Sequence, residues 1–134
     1  MNASAQIFVF EVGGKRYAFP VDYVKEVVAM PQYTPVPVSP DHVLGLASYK
    51  NGVLPLFSLE KIFDINKASA SKLCLIVYSR QGLIGYGVDA VAGVHPLSNV
   101  HQIEAGIRTL SGALKIISTL QLGLEASPVI MLDN

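Results

Sequence analysis

Gln6-Ile7-Phe8-Val9-Phe10-Glu11-Val12-Gly13-Gly14-Lys15-Arg16-Tyr17-Ala18-Phe19-Pro20-Val21 is the stretch that settles the fold class. Gln6 to Val12 is rich in β-branched and aromatic side chains and reads as a strand. Gly13-Gly14 supplies the positive backbone φ that a two-residue hairpin turn demands, and Arg16 to Val21 returns as its antiparallel partner. The same signature recurs further on. Val43 to Tyr49 and Val53 to Phe57 flank Lys50-Asn51-Gly52, and Asn51-Gly52 is the strongest short hairpin signal in the chain.

Working outward from these two hairpins, Asp22 is expected to cap a short helical turn. That turn would set Val24 and Val27 on one side and leave Lys25 and Glu26 exposed. Pro31, Pro35, Pro37 and Pro40 then impose an extended connection in which ladder pairing is difficult. Ser58 caps a brief helix from Leu59 to Phe63. The small polar stretch from Asn66 to Ser71 is the best linker in the chain, and it splits a single domain of residues 1–134 into subdomains of about 6–66 and about 70–134.

The second half restarts with a strand from Lys72 to Tyr78, a turn at Arg80-Gln81-Gly82 and a strand from Leu83 to Val88. A short strand from Gly93 to Leu97 follows. Ser98 to Gly112 carries no period and is expected to be a long loop or short helix. Leu114 to Leu120 and Val129 to Leu132 close the chain as strands around a Gly123 to Pro128 connection. Short apolar runs punctuated by Gly, Pro and Asn about every ten residues are the rhythm of small barrels or sandwiches. The expectation is a mainly β chain of two small barrels in tandem.

Composition narrows the function. The 134 residues carry ten basic and ten acidic side chains, so the formal charge is zero. Phosphate recognition and polybasic membrane binding both need a basic excess, so neither nucleic acid nor direct membrane insertion is expected. Charged residues are 15% of the chain and hydrophobic ones 51%, which leaves a thinly charged surface suited to protein partners. The longest apolar run, Leu73 to Tyr78, falls far short of the roughly 20 residues of a membrane helix. No secretory signal is visible at Met1 to Gln6, and Cys74 is the lone cysteine. A cytoplasmic location is therefore expected.

A search for chemistry finds little. Gly82-Leu83-Ile84-Gly85-Tyr86-Gly87 misses the spacing of a nucleotide-binding loop and reads as glycines where strands pack closely. His95, His101 and Glu104 lack a second paired ligand set, so no metal is expected. Cys74 lies in an apolar strand without a neighbouring base and reads as a small buried hydrophobe. Asp89 places a charge within an apolar stretch, either capping the turn through its side chain or touching a partner. No catalytic residue and no cofactor is expected.

At this point the chain resembles the CheW-like family of chemosensory adaptors, over nearly its whole length from Gln6 to Asp133. Phe8-Val9-Phe10, with Gly13 through Pro20-Val21, is similar to the family's opening hairpin. Val24-Lys25-Glu26-Val27 resembles its V-x-E-[IV] element. Pro37, Pro40 and Gly45 fall where the family approaches its G-x-x-N-x-R-G strand and turn, and Pro55 lies in the following strand. Val88-Asp89-Ala90-Val91-Ala92-Gly93-Val94 matches V-D-x-V-x-x-V best of all, and Val129 to Asp133 resembles the closing strand.

The resemblance implies two tandem five-stranded SH3-like β-barrel subdomains with a shared core and short helices. It implies a non-catalytic adaptor linking the cytoplasmic tips of chemoreceptors to the regulatory domain of a histidine kinase. The partner-binding residues it implies are Val24, Glu26, Val27, Gly45, Lys50, Asn51 and Asp89. With Gly45 and Pro55 held in register, the family's Arg-Gly is Lys50-Asn51 here and its Asn is Ser48. A lysine does not reproduce the planar fork of an arginine. The alternatives are a divergent adaptor of a pilus-motility or other chemosensory-like pathway, and a small ligand-binding β-barrel. A ligand-binding barrel would need a cavity in its interior.

Overall fold

The structure is a computed structural model. It describes residues 5–66, 69–80, 82–96, 100–109, 114–122 and 128–133, with side chains outside 100–109 and 115–122. The strands are β1 (Gln6–Val12), β2 (Lys15–Pro20), β3 (Val24–Ala29), β4 (Val43–Tyr49), β5 (Gly52–Ser58), β6 (Leu73–Ser79), β7 (Gly82–Val88), β8 (Ala90–Pro96), β9 (Val100–Thr109), β10 (Lys115–Leu122) and β11 (Val129–Asp133). A 3-10 turn at Val21–Tyr23 and one helical turn, α1 (Leu59–Ile62), interrupt them. Ser58 caps α1 as expected, its Oγ accepting the Lys61 N–H at 3.3 Å.

Both hairpins form. Gly13 and Gly14 take φ of 59° and 80°, and Val12 pairs with Lys15. In the second hairpin the positive φ falls on Lys50 (45°) and Asn51 (65°), and Tyr49 pairs with Gly52. The turn thus sits one residue before Asn51-Gly52. Ala47 pairs with Leu54 in this register, and both are buried.

Three expectations are corrected locally. The 3-10 turn is entered at Pro20 with no side-chain cap, and Asp22 lies inside it rather than capping it. Val24 to Val27 is strand, since β3 follows the 3-10 turn directly. Within Ser98 to Gly112, residues Val100–Thr109 form β9, paired along β10. Its mixed side chains hid it from a reading by hydrophobic period.

The strands form a six-stranded sheet ordered β8-β1-β2-β11-β10-β9 and a five-stranded sheet ordered β3-β6-β7-β5-β4. The SH3-like pair of subdomains is therefore present, but not as successive halves divided near residues 66–70. Each sheet draws strands from both sides of the linker. The reason lies in the parallel pairings of β11 with β2 and of β5 with β7. Parallel neighbours need long crossovers, so they join segments that no local pattern connects.

Burial falls into three apolar layers. Ile7, Val9, Ala18, Val129 and Met131 fill one side of the larger sheet. Ala47, Leu54, Leu56, Cys74 and Ile76 fill one side of the smaller. Phe10, Tyr17, Phe19, Leu75, Val77, Tyr86 and Val88 meet between the two sheets. The run Leu73 to Tyr78 is explained by this layering: Cys74 and Ile76 enter one layer, Leu75 and Val77 the other. A strand buried on both faces reads as continuously apolar.

Because each half lacks partners held by the other, residues 1–66 expressed alone are expected to show no cooperative thermal transition. A soluble fragment with a sharp unfolding transition would contradict the interleaved topology.

Candidate functional site

One polar cluster stands at the end of the smaller sheet, and a β-bulge builds it. Val24 pairs with Val77, but the register then shifts so that Glu26 lies opposite Ile76 and Val27 opposite Leu75. Without the extra residue Glu26 would face Leu75 and the central apolar layer, where an unpaired carboxylate is costly. The bulge aims it instead at the tip of the β4–β5 hairpin. There the Tyr49 hydroxyl donates to its carboxylate, and Lys50 Nζ lies 3.4 Å from the same Oε2. The Lys50 ammonium also lies 5.4 Å from the centre of the Tyr49 ring.

The Lys50 side chain is 66% exposed, so the ion pair adds at most about 1 kcal/mol to stability. Its effect is positional: it ties the hairpin tip to β3, at the opposite end of the strand order.

A second tie closes the same edge. Thr34 and Leu46 exchange backbone hydrogen bonds of 2.9 Å each. Gly45 makes that approach possible, because a Cβ there would lie 2.3 Å from the Thr34 carbonyl oxygen. Leu46 pairs with Pro55 and Ser48 with Val53, so these four share the outward face of the hairpin. Leu46 is 43% and Val53 69% exposed. An apolar strip therefore runs from the charged tip along the outside of the sheet, where alternation calls for polar residues.

Of the residues marked in the sequence, Glu26, Lys50 and Asn51 come together at this tip. Val24 and Val27 do not belong to an exposed surface; they are half-buried against the central layer. Gly45 is buried, and its role is the close approach of Thr34. Asp89 is exposed but acts within the fold. Its Oδ2 accepts the Gly13 N–H at 2.8 Å, its Oδ1 the Ser71 hydroxyl at 3.3 Å, and its own N–H donates to the Glu11 carbonyl. It anchors the β7–β8 corner to the first hairpin turn. Tyr49, Leu46 and Val53 were missed. The outward apolar pair was legible from hairpin alternation, whereas the contact of Tyr49 with Glu26 depends on strands distant in sequence.

Cys74 is buried, and burial pushes its thiol up to about 11, away from thiolate reactivity. A Cβ on Gly85 would lie 2.6 Å from Cys74 Sγ and 2.7 Å from Leu56 Cδ2. The interior of the smaller sheet therefore lacks room even for a methyl at that point, which counts against a ligand-binding barrel. Among the described residues no three His, Cys, Asp or Glu side chains converge as metal ligands, and no helix is long and apolar enough to cross a membrane. The His101 and Glu104 side chains lie outside the described residues.

Comparison with known proteins places these features in a family. A model of the CheW-like domain matches residues 6–133. The chain is 31% identical over 86 residues to the chemotaxis protein CheW of Helicobacter pylori, covering 63% of this chain and 52% of that protein. It is 29% identical over 90 residues to the chemotaxis protein CheW of Thermotoga maritima, covering 66% and 60%. The chain thus spans between half and two thirds of the length of these relatives. Its fold is similar to the crystal structure of the scaffolding protein TtCheW from Thermoanaerobacter tengcongensis, with a TM-score of 0.79 and 24% identity. That likeness covers 98% of this chain and 90% of the other.

The placement of Val24 and Asp89 gives two expected outcomes in urea unfolding. Val24→Asp lowers stability by about 2–4 kcal/mol, since it buries an unpaired charge. Asp89→Ala costs about 1 kcal/mol through the lost bonds to Gly13 and Ser71. A Val24→Asp protein as stable as wild type would return that side chain to the surface.

Proposed function

This chain belongs to the CheW-like domain family, and from that membership we propose that it is a cytoplasmic, non-catalytic adaptor of chemotaxis-type signalling. In this reading it couples the cytoplasmic tips of chemoreceptors to the regulatory domain of a histidine kinase. The family is one of adaptors and scaffolds, and its relatives here carry the names of chemotaxis and scaffolding proteins.

The observation that carries the reading is the β4–β5 hairpin. Its outward face is apolar at Leu46 and Val53, its tip is charged, and its pose is fixed by Glu26. An apolar centre with a polar margin is the anatomy of a specific protein interface. We assign the kinase regulatory domain to this face. Glu26, Lys50 and Asn51 remain in the proposed contact, joined by Leu46, Tyr49 and Val53. Val24, Val27 and Gly45 support it from within the fold, while Asp89 anchors the first hairpin turn.

The Lys50-Asn51 pair in place of the family's Arg-Gly does not dismantle this arrangement. Where one guanidinium would offer a carboxylate two parallel donors, the Lys50 ammonium and the Tyr49 hydroxyl offer Glu26 one each. The composite is held on two side chains rather than one planar fork, so it is more mobile and more sensitive to salt.

Calorimetric titration with the kinase regulatory domain from the same genome tests the assignment. Val53→Asp is expected to weaken binding by at least about tenfold, or about 1.4 kcal/mol, with thermal stability unchanged because the side chain is 69% exposed. Tyr49→Phe is expected to weaken it less and to steepen its salt dependence. Wild-type affinity in both variants would remove the hairpin from the contact.

A further inference from the structure

The turn that carries the docking tip contains a chemically labile bond. Asn51 is exposed, and among the described residues its carboxamide makes no hydrogen bond. Gly52 follows it at the start of β5, also exposed, with φ outside the left-handed region. A Cβ built on Gly52 would have only the Tyr49 carbonyl oxygen within 4 Å, at 3.5 Å. Glycine is therefore not needed there for conformation or for space, unlike Gly45 and Gly85. Its missing side chain has one chemical consequence: nothing shields its backbone nitrogen from the preceding carboxamide.

We propose that Asn51 is a site of intramolecular deamidation driven by the Gly52 backbone nitrogen. Solvent hydroxide removes the Gly52 amide proton, and the nitrogen attacks Asn51 Cγ. The new N–Cγ bond closes a five-membered succinimide as the Cγ–Nδ2 bond breaks. The departing nitrogen takes a proton from water and leaves as ammonia. A second water then opens the ring at either carbonyl, giving aspartate or isoaspartate. The net exchange is an amide NH2 for a carboxylic OH, with no oxidant or reductant.

Both products disturb the tip. Each places a carboxylate beside Lys50 that competes with Glu26 for the ammonium. Isoaspartate also inserts an extra backbone carbon into a turn whose two central residues must both hold positive φ. The chemistry does not depend on what the protein binds. Its effect on docking rests on the function proposed above, so the two are tested in separate arms.

In the first arm, the full chain is incubated at mildly alkaline pH and digested with a glutamate-specific protease, which leaves Asn51 internal. The expected result is a one-dalton gain with ammonia release at Asn51, ahead of Asn66 and Asn99, growing with time and lost in Gly52→Ala. No gain at Asn51, an earlier gain at another asparagine, or an equal gain in Gly52→Ala would overturn the proposal. In the second arm, wild type and Asn51→Asp are titrated with the kinase regulatory domain. Weaker binding of Asn51→Asp supports an effect on docking. Equal and measurable binding overturns that effect while leaving the modification standing, and no binding by wild type overturns the docking assignment instead.

Discussion

The structure depends on one packing constraint: aromatic rings from both sheets must share a single layer. Phe19 of β2 stacks on Tyr86 of β7 with ring centres 5.9 Å apart, and Tyr17 stacks on Phe63, just after α1, at 4.3 Å. Phe10 joins Tyr17 and Phe19 from one side, and Phe57 joins Tyr86 from the other. Each such pair adds about 0.5–1.5 kcal/mol beyond the area it buries. Neither sheet keeps these rings from water alone. The interleaved strand order follows, since β1 and β2 must lie in one sheet while β3, the next strand in the chain, crosses to the other.

That constraint also explains the site. The face of β3 that carries Val24 and Val27 is committed to the shared layer, so Glu26 turns to the side of Ile76 and the hairpin tip only because a bulge shifts the strand by one residue. Likewise Ala47 and Leu54 face inside in the β4–β5 hairpin, which leaves Leu46 and Val53 outside by alternation. The ion pair of Lys50 to Glu26 adds little stability and serves to hold the tip's position.

How much was legible in the sequence follows from the same physics. Both hairpins, the Ser58 cap and the glycine crowding around Gly85 were local, and local chemistry sufficed to find them; the bonds of Asp89 to Gly13 and Ser71 cross the chain and were not. The interleaving of the sheets was not, because the parallel β2–β11 and β5–β7 pairs join segments far apart in the chain. β9 escaped because its side chains show no alternation. Val24 and Val27 were set on one side of a helical turn rather than on a bulged strand, since a bulge looks like any other residue in a sequence. The contact of Tyr49 with Glu26 required knowing that the two ends of the strand order meet.

The outward face of the β4–β5 hairpin, posed by Glu26, is the proposed seat of the kinase regulatory domain. A nuclear magnetic resonance titration of the isotope-labelled chain with that domain tests it most directly, reading every backbone amide at once. The account predicts that the largest amide shifts fall on Leu46, Ser48, Lys50, Asn51 and Val53, with Glu26 following. Shifts confined to the exposed valines of β8, Val91 and Val94, with the hairpin amides unmoved, would contradict it.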